Sequence, residues 1–218
     1  MTSDTKVVSK VLEMLIMPIF LDAIRGTDLI IEFAEHQNHY PDLTIIDSKT
    51  GEMVAVDLKS TYYTGPDTVN GFTLGAFTGY FRDRTSTKNT TYAYAEYQAH
   101  LVLGIIYNKK TVPEAEVFEL SELKKMESVA SDFKFLLHPK WALATDRPGS
   151  GNTKNIGSII DVNELVAGKG PFTKFKNPEA VFDDYWMNYM TADMARTVES
   201  KVTYNNIATY LKTKKLPE

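Results

Sequence analysis

Apolar residues return every three or four positions between residues 3 and about 24: Val7, Val8, Val11, Leu12, Leu15, Ile16, Ile19 and Phe20. That spacing predicts an amphipathic helix, capped by Ser3 or Asp4 and kinked or divided at Pro18. Further along, β-rich runs at residues 43–47 and 53–59 read as strands. The turn segment 48–51 between them makes the two a hairpin. Residues 100–107 read as a third, buried strand and 117–120 as a fourth. Helices are expected at 94–98, 121–127 and 179–189, and loops at 64–71 and 146–151, where Gly and Pro punctuate the chain. No repeat, low-complexity tract or linker divides the chain, which predicts one domain over residues 1–218.

Composition narrows the class without naming it. With 43% hydrophobic and 24% charged residues, the chain reads as an ordinary soluble globular protein. No run approaches the ~18 apolar residues of a membrane span, and no signal segment follows Met1, so no membrane partner is expected. The absence of cysteine excludes disulfides and thiolate metal sites and fits a reducing cytoplasm. A net charge of −4 argues mildly against nucleic acid. Its distribution matters more: Arg82, Arg84, Lys88, Arg147 and Lys154 can form local positive patches. Lys212, Lys214 and Lys215 form a basic tail that also fits plain solvation.

Three constellations carry candidate chemistry. The first is Asp42, followed on the next strand by Asp57 and Lys59. Strand alternation puts Asp57 and Lys59 on one face, and the hairpin brings Asp42 beside them. Two converging carboxylates with an ammonium suit a hard cation such as Mg²⁺. That ion would neutralise a phosphodiester and activate water for its hydrolysis, with Lys59 orienting or deprotonating the water. The same residues also fit a surface hairpin with a simple Asp57–Lys59 ion pair. The second constellation spans residues 149–157, where glycines allow close approach and Asn can pair with an adenine edge. A flexible polar turn fits it equally. The third is the polar run at residues 35–40, which can face a groove or a sugar. The four histidines lack metal-ligand spacing, which makes zinc improbable.

A resemblance then decides among these readings. Gln-Asn-His-Tyr-Pro-Asp (37–42), Asp-x-Lys (57–59), Phe-Thr-Leu-Gly (72–75), Gly-Ser-Gly-Asn-Thr (149–153), Asn-Ile-Gly-Ser (155–158), Ala-Gly-Lys-Gly (167–170), Asp-Tyr-Trp (184–186) and Tyr-Asn-Asn-Ile (204–207) stand in the order of one family. With Ser-Asp-Thr-Lys-Val (3–7), they make almost the whole chain similar to the EcoRV family of type II restriction endonucleases, within the PD-(D/E)xK nuclease superfamily. The resemblance implies an α/β fold, a mixed sheet flanked by helices, working as a homodimer on double-stranded DNA. It implies that Asp42 and Asp57 bind metal, that Lys59 is catalytic, and that Glu13 is a further acidic ligand. It also implies a recognition loop at about 146–158, in which Gly149, Gly151, Asn152 and Thr153 read base edges, Ser150 and Lys154 stand among them, and Asn155 supports the end. Gln37 and Asn38 match the minor-groove loop, while Thr5, Thr61, Thr73 and Lys88 fall near the phosphate backbone. A C-terminal DNA-contacting segment is expected at about 180–218.

The implied reaction is a blunt, Mg²⁺-dependent cut at GATATC in the bacterial cytoplasm, beside a cognate methyltransferase encoded nearby. Departures from the pattern bear on affinity more than on chemistry. The chain starts later than the pattern, so an N-terminal dimer contact is expected to be missing or built differently. Lys154 replaces a small polar residue and Gly79 a serine, and Met187, Met190 and Thr191 stand where basic residues are expected. Fewer phosphate contacts would flatten the salt dependence of binding. Two other readings remain: a DNA-binding protein of this fold with impaired cleavage, and a repair nuclease reading structure rather than sequence.

Overall fold

The hairpin expected at residues 43–59 forms, and it is the spine of the molecule. In the computed structural model, which describes residues 4–36, 38–110, 119, 121, 128–149 and 154–215, strands β2 (Leu43–Asp47) and β3 (Met53–Gly65) pair antiparallel, Leu43 opposite Val56. Gly51 closes the turn at φ 75°, and its N–H donates to the Asp47 carbonyl at 2.8 Å. Without a Cβ, glycine adopts that left-handed conformation at little cost. Strand β1 (Leu29–Phe33) adds antiparallel outside β2.

On its other edge β3 pairs in parallel with β6 (Tyr97–Lys109), and β6 pairs antiparallel with β7 (Ala130–Pro139). The sheet order is β1-β2-β3-β6-β7, with β4 (Thr68–Val69) folded back on the far end of β3. A second, three-stranded sheet has the order β5 (Thr73–Ala76), β9 (Asn155–Ser158), β8 (Ala144–Pro148). The mixed main sheet and the helices around it match the expected fold class.

Alternation along β3 sets the two faces of the sheet. Val56 and Leu58 join Ile105 and Leu43 under helix α1 (Thr5–Ala23), where Ile16 is buried. Ala55 belongs to the opposite face, with Phe72, Val102, Leu136 and a run of aromatic side chains that includes Trp186 and extends to Tyr210. Side chains alternate along a strand, so Asp57 and Lys59 share the face of Ala55. That second face is covered by the small sheet and by α3 (Val162–Ala167), α4 (Pro178–Asn188) and α6 (Ile207–Lys214). Gly104, the partner of Lys59 in the ladder, admits this packing: a Cβ there would lie 2.8 Å from both Phe72 and Leu136.

Several expectations change. Asp4 caps α1, its carboxylate accepting from the Lys6 N–H at 2.8 Å. The helix runs without a break through Pro18, whose ring is exposed while Ile16 before it and Phe20 after it pack against the core. The helix expected at 94–98 is one 3₁₀ turn, Tyr94–Glu96, and β6 begins at Tyr97, earlier than expected. Tyr97 pairs with Met53 and its hydroxyl meets that of Thr44 at 3.0 Å, so the ladder overrides local helical preference. The strand expected at 117–120 and the helix at 121–127 lie outside the described residues, apart from Glu119 and Ser121. The helix expected at 179–189 is α4.

Candidate active site

The loop into β2 ends at Pro41-Asp42, and antiparallel pairing sets Asp42 beside the middle of β3. Its carboxylate accepts the Leu58 N–H at 2.6 Å, so one backbone bond fixes the acid across the two strands. The Lys59 ammonium lies 2.9 Å from the Asp57 carboxylate and 3.6 Å from that of Asp42. It also donates to the Leu58 carbonyl at 3.1 Å. Asp57 is only 5% exposed, whereas the side chains of Asp42 and Lys59 are 27% and 25% exposed. The cluster therefore has a buried floor and an open rim.

The two acids do not ionise alike. Burial and the charge of Asp57 push Asp42 up to about 7. Burial acts upward on Asp57 too, but the ammonium groups of Lys59 and Lys140 outweigh it and hold the acid below the usual carboxylate range. Burial acts downward on Lys59, and the pull of Asp57 and Asp42 outweighs it, so the lysine stays charged. A carboxylate raised by burial and by a second carboxylate beside it would be drawn back to its ionised form by a cation lying between the two. A hard divalent cation fits that place, with two carboxylates and open positions for water and phosphate oxygens. Among the described residues no three His, Cys, Asp or Glu side chains gather at one point. Glu13 is turned to Lys10 at 2.8 Å, and its charge reaches Lys59 without its carboxylate joining Asp42 and Asp57.

The floor of this cluster was not visible in the sequence. Tyr40 shares a 2.8 Å hydrogen bond with His100 Nδ1, Tyr94 stacks on His100 at 3.7 Å, and Tyr80 stacks on Tyr40 at 5.0 Å. Burial, with the charges of Lys140 and Arg84, drives His100 down to about 2, so its ring is neutral. The Lys140 ammonium sits 4.1 Å from the centre of the Tyr40 ring. No spacing rule links Lys140 to Asp57, which lie on different elements and meet only through the sheet.

The remaining candidates fall into two neighbouring clefts and a remainder. Thr5 and Thr61 line a cleft of about 130 Å³ with Lys6, Ser9 and Ser60. The Thr61 hydroxyl there is buried and has no hydrogen-bond partner among the described residues. Thr73 and Gly149 line a second cleft, of about 500 Å³, with Arg147, and Asn70 borders both clefts. Gly149 donates its N–H to the Asn155 carbonyl at 2.8 Å, which ties the ends of the segment between them. Gly157 packs against it so closely that a Cβ would lie 2.9 Å from the Arg147 carbonyl. The Lys154 carbonyl accepts the Phe77 N–H at 2.9 Å. Asn38 and Lys88 are exposed and line neither cleft. Gln37, Ser150, Gly151, Asn152 and Thr153 lie outside the described residues.

Comparison with known proteins follows the same lines. The family model described as Restriction endonuclease EcoRV matches residues 1–215. The Type II restriction enzyme EcoRV of Escherichia coli is 35% identical over 212 residues, which cover 95% of this chain and 82% of that enzyme.

Proposed function

Because the chain belongs to the EcoRV family of type II restriction endonucleases, and is a nuclease on that ground, we propose that it cuts both strands of duplex DNA at the palindrome GATATC, leaving blunt ends. The observation that carries the reading is the meeting of Asp42, Asp57 and Lys59 at an open rim, with lysine-to-carboxylate distances of 2.9 and 3.6 Å. Asp42 and Asp57 would hold Mg²⁺. Bound there, the ion would supply positive charge to the scissile phosphate and acidify a water molecule.

The chain's own groups supply the rest. Lys59 reaches toward the phosphate and stabilises the charge that develops on its oxygens. The Leu58 N–H keeps the Asp42 carboxylate aimed while the lysine moves. Thr5 and Thr61 donate to backbone phosphates from the smaller cleft, where the buried Thr61 hydroxyl has no partner among the described residues. Residues 149–153 read base edges, Asn152 on adenine and Thr153 on a thymine methyl. The larger cleft, with Thr73 and Arg147, is lined by Gly149, the first residue of that segment.

A homodimer suits a palindrome, each copy reading one half-site. The central TA step is easily kinked, so part of the discrimination is indirect. A methyltransferase of matching specificity, encoded nearby, would protect the host's own sites, and both would work in the bacterial cytoplasm. No helix among the described residues is long and apolar enough to cross a membrane.

Digestion of a plasmid bearing a single GATATC site, with and without Mg²⁺, tests the proposal. The expected result is one linear, blunt-ended product that needs the metal. Binding without cutting would favour a DNA-binding protein of this fold, and scattered nicks a nuclease that reads structure.

A further inference from the structure

Lys140 is 2% exposed, and among the described residues no hydrogen bond or ion pair reaches its ammonium. A buried ammonium is costly unless something compensates it. Here the compensation is diffuse. The ammonium lies 4.1 Å from the Tyr40 ring centre and 5.5 Å from that of Tyr94, both electron-rich faces. Gly75, at φ 90°, leaves room beside it: a Cβ there would come within 3.9 Å of the Lys140 nitrogen and 2.9 Å of the Tyr80 hydroxyl. The negative charges that act on it are Asp57, whose ionised form it favours in turn, and Asp183, while Lys59 and Arg84 repel it. Aromatic rings thus hold a buried lysine whose charge reaches Asp57, with no ion pair between the two among the described residues.

We propose that Lys140 is a fixed internal cation of the metal centre, which offsets one of the two carboxylate charges from behind and so weakens the hold of the DNA-free protein on a divalent ion. The inference rests on the reading of Asp42 and Asp57 as the metal ligands. Its basis is a charge count. Asp42 and Asp57 contribute at most two negative charges, Lys59 and Lys140 two positive, and Glu13 is already paired with Lys10 at 2.8 Å. Lys59 can swing away from an arriving metal at the open rim. Lys140 has nowhere to go. A divalent ion added to such a centre gains little net attraction until an anion arrives with it.

Calorimetric titration of Mn²⁺ into the DNA-free full-length protein at pH 7 tests this, with wild type, Lys140→Met, Lys140→Arg and Asp57→Ala compared. Burial lowers Lys140 only to about 8, so it is charged at that pH. Removing one buried positive charge should tighten Mn²⁺ binding about tenfold in Lys140→Met, with Lys140→Arg staying near wild type. Unchanged or weaker binding in a folded Lys140→Met protein overturns the proposal. Lys140→Gln repeats the test if the Met variant does not fold. If no neutral residue is tolerated, the cation serves the fold and the proposal fails as well. Should Asp57→Ala bind Mn²⁺ as wild type does, the metal site itself is misassigned, and the fault lies there rather than with Lys140.

Discussion

The two sheets of this protein place their functional residues in opposite ways. In the main sheet, β3 and β6 pair without interruption from Val54 opposite Ala99 to Tyr62 opposite Tyr107. Asp57 and Lys59 stand in the middle of that ladder. In the small sheet, β5 meets β9 only at Thr73–Gly157 and Ala76–Asn155, with an irregularity between, and β8 meets β9 through a similar shift. There the shape depends on contacts between glycines, such as Gly149 against Gly157. Groups that must hold a geometry to within a fraction of an ångström are best carried on rigid strands. A reading edge, which must lie against a groove, is built from backbone that can come close. The difference predicts that chemistry and discrimination can be damaged separately.

Asp57→Ala should separate them most sharply. It removes the buried carboxylate proposed to hold the metal and should lower cleavage on the order of a thousandfold or more, by single-turnover kinetics. Specific binding of DNA measured without metal should persist. Lys59→Met comes next, costing about 10²- to 10⁴-fold in the cleavage rate while Mg²⁺ binds at least as tightly as in the wild type. Asn152→Ala should act on the other side: the ratio of cleavage at GATATC to cleavage at sites differing by one base should fall roughly 10- to 100-fold. The maximal rate should suffer less.

The pH dependence belongs to the catalytic side alone. Asp42 is raised by burial and by Asp57 from the ordinary carboxylate value to about 7. The metal-free fold therefore has this group's stabilising contribution at acid pH and loses it as pH rises from about 4 through about 7. A divalent ion binds the ionised form, so Mg²⁺ should raise Tm more at about pH 8 than at about pH 6. The cleavage rate should fall about tenfold for each pH unit below that of Asp42. A flat profile would remove Asp42 from the metal site. The smallest effect is expected at Thr61. Thr61→Val removes a buried hydroxyl without a partner and should leave the DNA-free protein as stable or more so, while DNA affinity drops roughly two- to tenfold.

Legibility in the sequence followed the same division. The hairpin and the meeting of residues 42, 57 and 59 could be read because one short turn and strand alternation put them together locally. Only the extent of β3, which continues to Gly65, was missed. Helix α1 was legible from its period, yet the effect of Pro18 was not, since packing on both sides keeps the helix whole. Tyr94–Glu96 was misjudged because the pairing that draws Tyr97 into β6 is with a strand more than forty positions earlier. The Tyr40, Tyr80, Tyr94, His100 and Lys140 group had no signal at all. Each of those residues looks ordinary in its own segment, and only the crossover from β3 to β6 and the return along β7 assemble them.

The account stands on a divalent ion binding between residues 42 and 57, and anomalous diffraction would see it directly. Crystals of the protein bound to a GATATC duplex and soaked in Mn²⁺ should show an anomalous peak within about 2–2.5 Å of carboxylate oxygens of both Asp42 and Asp57, facing a backbone phosphate. A Mn²⁺ peak elsewhere, with those two acids still joined only to Lys59, would contradict it.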